Sequence, residues 1–340
     1  MRKVIGLIIV AIISLTKTVD HQATINDVSA RSAILMDAGS GRVMFQKNIH
    51  ERLLTASIAK IMTAITAIEH LDLEREITVT KDVLKAHGSS IYLEIGDRIK
   101  IIDLLYGLML RSGNDAALMI ALSYNGNESD FVRLMNEKAK QLKMTNSTFE
   151  NPSGLDETTK NYSTAYDMAV LMRYALQNTT FRMIISTKHY VAKTASGKIL
   201  DFYNKHRLVC EHPQVTGGKT GYTKLAGRTL VTSFQNKGME VIVVTFDAGG
   251  DWNIHKSLAN YAFENFKNEL IISRRHFKLA TCLYSFDFFL ERDVYLPLKE
   301  GDEVYLGLYL KPESKKNKGL IGQLNVYLNN ELILRVPVYQ

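Results

Sequence analysis

The chain has 340 residues, 46% hydrophobic and 23% charged, with a formal net charge of +7 at pH 7. That composition excludes a disordered or low-complexity protein and leaves length for two domains. The positive charge suits an anionic partner such as nucleic acid, membrane lipid or an acidic wall polymer. Lys and Arg are nevertheless spread along the chain, and the densest run, Lys315, Lys316 and Lys318 in PESKKNKG, reads as a solvated turn; no nucleic-acid partner is expected.

MRKVIGLIIVAIISLTKTV opens with Arg2 and Lys3 and continues in an apolar run from Val4 to Leu15, the layout of an export signal. The run is short for a membrane span, which takes about 20 residues, and no convincing A-x-A site follows it. Residues 1–23 are therefore expected to be a signal peptide or a retained N-terminal anchor, and the protein to be exported, with membrane association only through this segment. Cys210 and Cys282 fall in different expected domains, so a disulfide is allowed by compartment and not implied by spacing.

From Ser32, SAILMDAGSGRVMFQKN alternates apolar and polar residues around the turn DAGSG and reads as a β-hairpin. TASIAKIMTA, residues 55–64, follows as a helix with almost no polar face, so it should be buried nearly all round. GDRIKIIDLLYGLMLRSGNDAALMIALSY gives a helix, a break at Ser112 to Asn114 and a second helix. NESDFVRLMNEKAKQLKM is an amphipathic helix with Ser129 as its N-cap, and YSTAYDMAVLMRYALQ adds another capped by Ser163 or Thr164. Strand character returns in HYVAKT and in GRTLVTSFQNKGMEVIVVTFDA, a hairpin turning at Asn236 to Gly238, before a closing helix from about 253 to 266. Strands at both ends with helices between them imply one sheet assembled from distant segments, a catalytic-size domain over 24–270. After about residue 271 short alternating strands, VYLPL, EVYLGLYL, LNVYLNN and ELILRVPVY, make a small all-β domain over 271–340.

Within the buried helix, Ser57 and Lys60 stand at i and i+3, on one face and within reach of each other. A desolvated lysine loses its proton more easily, and a neutral amine beside a hydroxyl can act as its general base. S-x-x-K alone is weak: it occurs by chance about once in a chain this long, and Ser14 with Lys17 supplies a second copy in the N-terminal run. A snorkelling lysine explains a single copy equally well. Two further triplets change the weight, Ser112-Gly113-Asn114 in LMLRSGNDAA and Lys219-Thr220-Gly221 in QVTGGKTGYT, because all three in this order arise by accident in on the order of one chain in a thousand. An acyl-transfer serine needs a base, an oxyanion hole, a proton donor for the leaving amine and a hold on the substrate. Lys60 would be the base, Ser112 at a helix break the proton relay, and Asn114 an amide that orients substrate backbone. Lys219 and Thr220 on a strand edge would hold a terminal carboxylate, with Gly221 allowing close backbone approach. The blander reading makes Ser112 and Asn114 helix caps and Lys219 a solvated strand lysine.

These motifs, with ASIAKIMTA, SGNDAA, NPSGLD, YSTAYDMA and GGKTGYTKLAGRTLV around them, resemble the penicillin-recognising serine enzymes, specifically the low-molecular-mass penicillin-binding proteins that are D-alanyl-D-alanine carboxypeptidases. The likeness covers roughly residues 28 to 270. It implies an α/β (α+β) fold with a five-stranded antiparallel sheet flanked by helices and a helical insert. It implies a serine hydrolase that removes the terminal D-Ala from peptidoglycan stem peptides through a Ser57 acyl-enzyme, at the outer face of the cytoplasmic membrane or in the cell wall. It also implies an oxyanion hole from the backbone N–H groups of Ser57 and Tyr222, acylation by β-lactams, and no cofactor. Leu54 and Thr55 stand where relatives often have prolines, and Asn161 where a histidine is common. Cleavage of cross-links by an endopeptidase, or a slow penicillin-sensing protein, remain alternatives. A class A β-lactamase would need a deacylating glutamate in E-x-x-L-N and S-D-N for S-G-N, and Glu150 in TFENPSGLD does not fit. The nine histidines show no H-E-x-x-H or other tight spacing, which argues against a metallopeptidase.

Overall fold

The computed structural model describes residues 28–274, 289–310 and 319–339, and the backbone of residues 6, 7, 13 and 14. The export segment as a whole, the side chains of the Ser14 and Lys17 pair, residues 312–318 of the PESKKNKG turn and Cys282 lie outside the described residues.

A five-stranded antiparallel sheet organises the catalytic half. Its strands are β1 (Ala30–Asp37), β2 (Val43–Lys47), β3 (Val215–Thr223), β4 (Gly227–Asn236) and β5 (Met239–Ala248), in the order β3-β4-β5-β1-β2. The first hairpin therefore pairs with the last, Ile34 opposite Val244 and Met36 opposite Ile242, which closes the sheet across some 200 residues of helical chain. The hairpin expected from Ser32 forms, but β1 departs from half-buried alternation: from Ser32 to Asp37 every residue is buried. Both faces of the sheet are covered, so successive side chains feed two different cores. Ile34, Met36, Val231, Ile242 and Val244 meet the helical side, while Ala33, Leu35, Phe234, Val241 and Val243 meet the closing helix. Burying each of these large side chains stabilises the fold by about 2 kcal/mol.

On the helical side lie α1 (Lys60–His70), α2 (Ile101–Tyr106), α3 (Asn114–Asn125), α4 (Glu128–Gln141), α5 (Ala165–Ala175) and α6 (Thr179–Ser186); α7 (Arg207–Glu211) precedes β3, and α8 (Asp251–Asn265) covers the other face. Every residue of α1 from Lys60 to Ala67 is buried, as its lack of a polar face demands. The start of α4 corrects the expected cap: Asn127, not Ser129, is the N-cap, because Asn127 accepts the Ser129 N–H at 3.0 Å and the Ser129 hydroxyl is itself a donor to Asn127. Thr164 caps α5 by accepting the Asp167 N–H. Between α2 and α3 a π-turn, Gly107–Arg111, ends at Ser112 with φ +63°, a left-handed backbone at a residue with a Cβ, and that reversal makes the helix break.

Beyond α8, β6 (Lys267–Ile272) straddles the expected 270/271 boundary and pairs with β7 (Val294–Leu298). Strands β8 (Glu303–Leu310), β9 (Leu320–Leu328) and β10 (Glu331–Tyr339) form an antiparallel meander, and the backbone of Gly6–Leu7 and Ile13–Ser14 pairs along β8. Its core of Val304, Leu308, Leu324, Val326, Val336 and Val338 is separate from the other two. Arg42, in the β1–β2 turn, joins the halves: its guanidinium binds both carboxylate oxygens of Asp302 at 2.6 and 3.0 Å and the Pro297 carbonyl at 2.5 Å, and it lies over the Phe266 ring. Among the described residues Cys210 has no disulfide partner, and its Sγ lies 3.5 Å from the Asn204 carbonyl. Among the described residues no helix is long and apolar enough to cross a membrane.

Candidate active site

Ser57 sits in a 3₁₀ turn, Ala56–Ala59, that runs directly into α1 at Lys60. Two distant elements fix this turn. The Thr55 N–H donates to the Asn161 carbonyl at 3.0 Å, and the Thr55 carbonyl accepts the Thr229 hydroxyl of β4 at 2.9 Å. Ala56 is held at φ +46°, a left-handed backbone with a cost of roughly 1–3 kcal/mol that the surroundings must offset.

Lys60 is fully buried, with its Nζ 3.0 Å from Ser57 Oγ, 2.7 Å from Asn114 Oδ1 and 2.5 Å from the Ser153 carbonyl. Burial pushes the Lys60 amine well below the ordinary lysine range, and the positive charges of Lys219 and Lys205 push it the same way against the opposing pull of Asp115. A neutral amine has two N–H groups and one lone pair. Two of the three neighbours, Asn114 Oδ1 and the Ser153 carbonyl, can only accept. In the neutral form they take the two N–H groups, which leaves the lone pair for Ser57 Oγ, the one neighbour that can donate.

Ser112 and Asn114 flank the break between the π-turn and α3, both buried. Asn114 holds the amine through Oδ1, while its Nδ2 donates to the His87 carbonyl at 2.6 Å. One amide N–H is thus engaged, and the other has no partner among the described residues. Ser112 makes no direct hydrogen bond to Ser57, Lys60 or Lys219 among the described residues. The neighbouring Asp115 belongs to none of the three triplets, yet its carboxylate accepts the N–H groups of Ile91 (3.0 and 3.1 Å) and Leu93 (3.3 Å) and the Ser90 hydroxyl (2.5 Å), tying the loop before α2 to the start of α3.

Across the cleft, β3 is an edge strand of the sheet and brings Lys219, Thr220, Gly221 and Tyr222 past Ser57. A Cβ on Gly221 would stand 2.9 Å from Ser57 N and 2.3 Å from Thr229 Oγ1, so no side chain fits there. Lys219 is not a solvated strand lysine. It is 1% exposed, its Nζ donates to the Thr220 carbonyl at 2.9 Å, and burial, with Lys205 nearby, lowers it to about 7. Thr220 and Gly221 are half-buried, and Tyr222 is exposed. Behind β3, His206 bonds Thr232 Oγ1 at 3.0 Å and His255 bonds the same oxygen at 2.8 Å; burial holds His206 down at about 3. Lys205, exposed with its Nζ 3.3 Å from Ser89 Oγ, has no sequence signal to mark it. A pocket of about 140 Å³ opens beside Asn114 and Ser153, bordered by His87, Glu128 and Leu155. Among the described residues no group of three or more His, Cys, Asp or Glu is placed to hold a metal ion.

A family model described as D-alanyl-D-alanine carboxypeptidase matches residues 16–250. The chain is 36% identical over 224 residues to the D-alanyl-D-alanine carboxypeptidase DacF of Bacillus subtilis, a match covering 64% of this chain and 57% of that protein. It is 34% identical over 254 residues to DacC of Escherichia coli, covering 71% and 62%. It thus spans about three fifths of the length of these curated relatives. A solved D-alanyl-D-alanine carboxypeptidase from Mycobacterium tuberculosis superposes with a TM-score of 0.68 at 28% identity, over 72% of this chain and 94% of that one.

Proposed function

Since the chain belongs to the D-alanyl-D-alanine carboxypeptidase family, we propose that it is a serine D,D-carboxypeptidase that removes the terminal D-Ala from peptidoglycan stem peptides. The single observation that carries the reading is the contact of a fully buried Lys60 amine with Ser57 Oγ at 3.0 Å, its other two partners being acceptors. Lys60 takes the Ser57 proton as Oγ forms a bond to the carbonyl carbon of the penultimate D-Ala. The carbonyl oxygen, now negative, is received by the backbone N–H groups of Ser57 and Tyr222. The proton returns from Lys60 to the leaving nitrogen, by way of the Ser112 hydroxyl once bound substrate brings it within reach, the C–N bond breaks and D-Ala departs. Water then attacks the ester, returning the proton to Ser57 and releasing the shortened peptide. Asn114 orients the substrate backbone. Lys219, Thr220 and the bare backbone at Gly221 take the terminal carboxylate, and with Lys219 poised near pH 7 an arriving carboxylate draws a proton onto it. β-Lactams, carrying an amide carbonyl and a carboxylate, enter the same path as inhibitors and acylate Ser57.

Export and attachment through residues 1–23 belong to the same proposal. Arg2, Lys3 and the apolar run from Val4 to Leu15 support it, and the N-terminal mass of the protein recovered from the outer face of the membrane distinguishes cleavage from a retained anchor.

The test is D-Ala release from diacetyl-L-Lys-D-Ala-D-Ala by the purified protein and by Ser57→Ala. Release that vanishes in the variant is the expected result. No release from the unaltered protein overturns carboxypeptidase activity and leaves cross-link cleavage as the reading to examine with a dimeric muropeptide.

A further inference from the structure

The turn NPSGLD contributes the Ser153 carbonyl to Lys60, and nothing in the three catalytic triplets explains what holds that carbonyl in place. Its anchor is Asn151. The Asn151 Oδ1 accepts three hydrogen bonds, from Ser153 N at 3.0 Å, Ser153 Oγ at 2.9 Å and Gly154 N at 2.7 Å. Its Nδ2 donates to the Leu155 carbonyl and to Thr159 Oγ1, both at 2.8 Å. One buried amide therefore ties both ends of the turn to each other. Asn161 secures Asn151 from behind, accepting its N–H at 3.1 Å and donating to its carbonyl at 2.8 Å, and Thr63 of α1 donates to the Pro152 carbonyl at 2.7 Å. The same turn presses on the nucleophile. Gly154, at φ +84°, lies so close that a Cβ would stand 1.9 Å from the Ala56 carbonyl oxygen. It thus packs against the left-handed Ala56 that aims the Ser57 peptide into the cleft.

We propose that Asn151 is a positioning residue for the general base: by fixing the Asn151–Leu155 turn it keeps the Ser153 carbonyl on one N–H of Lys60, so that the amine lone pair stays on Ser57 Oγ. The inference rests on the reading of Ser57 as nucleophile and Lys60 as its base. Without the anchor the carbonyl drifts and the amine is free to rotate, so fewer encounters present a lone pair to the hydroxyl. The protonated form also suffers, because an ammonium makes the stronger bond to a carbonyl and loses more than the neutral amine when that acceptor leaves.

The experiment is the rate of acylation by a fluorescent penicillin between pH 5 and 10, for the unaltered protein, Asn151→Ala, Asn151→Asp and the milder Thr159→Val. In Asn151→Ala the plateau falls by roughly 10²-fold, and the acid limb moves to lower pH. In Asn151→Asp the added negative charge favours the Lys60 ammonium, so the limb moves to higher pH. Thr159→Val, which removes one of the five bonds, shows a small shift in the direction of the alanine variant and serves if Asn151→Ala does not fold. Limbs displaced in opposite directions are not produced by a merely misfolded fraction, which lowers the plateau and leaves the limb where it was. Variants whose limb coincides with that of the unaltered protein overturn the proposal for Asn151. Failure of the unaltered protein to be labelled, or labelling that survives in Ser57→Ala, overturns instead the assignment of nucleophile and base.

Discussion

Two places among the described residues enclose basic side chains in opposite ways. At the junction of the domains, Arg42 is enclosed with a carboxylate, and the hydrogen bonds from Arg42 and the Lys299 N–H hold Asp302 below the usual carboxylate range although burial works against it. In the cleft, Lys60 and Lys219 are enclosed more completely and neither is given a carboxylate in contact; their partners are a serine, an asparagine and backbone carbonyls. A guanidinium cannot shed its proton, so its burial demands a counter-charge. An ammonium can, and a site lined only by neutral acceptors and other cations drives it to do so. The junction therefore keeps a charge for structure, while the cleft disfavours charge, which is what the proposed general base requires.

The comparison breaks most sharply at Lys60→Arg. The volume is nearly kept, but a neutral amine is replaced by a guanidinium that cannot shed its proton, so the base is lost and acylation by penicillin should fall at least about 10³-fold, the upper range for removing a general base. In the unaltered protein the rate should fall as pH drops through the Lys60 value, and that limb should lie well below the ordinary lysine value of 10.5. Stopped-flow labelling measures both, and a rate still climbing at pH 10 would count against a neutral resting amine.

Next in size is the junction. Asp302→Ala leaves Arg42 buried without its partner, and the cost should be about 3–5 kcal/mol of stability, read as a loss in urea unfolding midpoint. Replacing both residues, Arg42→Met with Asp302→Leu, should restore most of that loss. Acylation by the folded fraction should be unchanged in either case, because no residue of the junction reaches Ser57. In the unaltered protein the stability contributed by Asp302 is present above the unfolded carboxylate value and is lost as pH falls through its lower folded value.

The same contrast governs how much of the fold and of the cleft is legible in the amino-acid sequence. Ser57 and Lys60 are legible because a fixed helical spacing converts two letters into a contact, and the sheet is legible because hydrophobic runs at both ends of the domain need each other. The full burial of β1 is not, since it depends on α8 arriving some 200 residues later to cover the second face. The Ser153 carbonyl leaves no trace in side-chain chemistry, because a backbone oxygen is the same at every position and only the fold aims it. Lys205 has a side chain to notice, but its approach to Lys60 and Lys219 is created by the loop that bonds Lys205 N to the Leu110 carbonyl.

One substitution separates stability from function within the cleft itself. Lys219 is lowered to about 7 from an unfolded value of 10.5, so across this window the unfolded chain holds a proton that the folded protein has released. Stability must then rise with pH between about 7 and 10.5, and at pH 7 the buried amine costs the fold up to on the order of 5 kcal/mol. Lys219→Met removes that cost at similar volume. Its melting temperature at pH 7 should exceed that of the unaltered protein by several degrees, and its rise in melting temperature from pH 7.5 to 10 should be shallower, with Lys60 still supplying the remainder. Carboxypeptidase turnover should drop by roughly 10²-fold at the same time, because the substrate carboxylate loses its charged partner. A variant that melts lower and works normally would mean that Lys219 is protonated and structural, like Arg42, and that the cleft is not the place where charge has been removed.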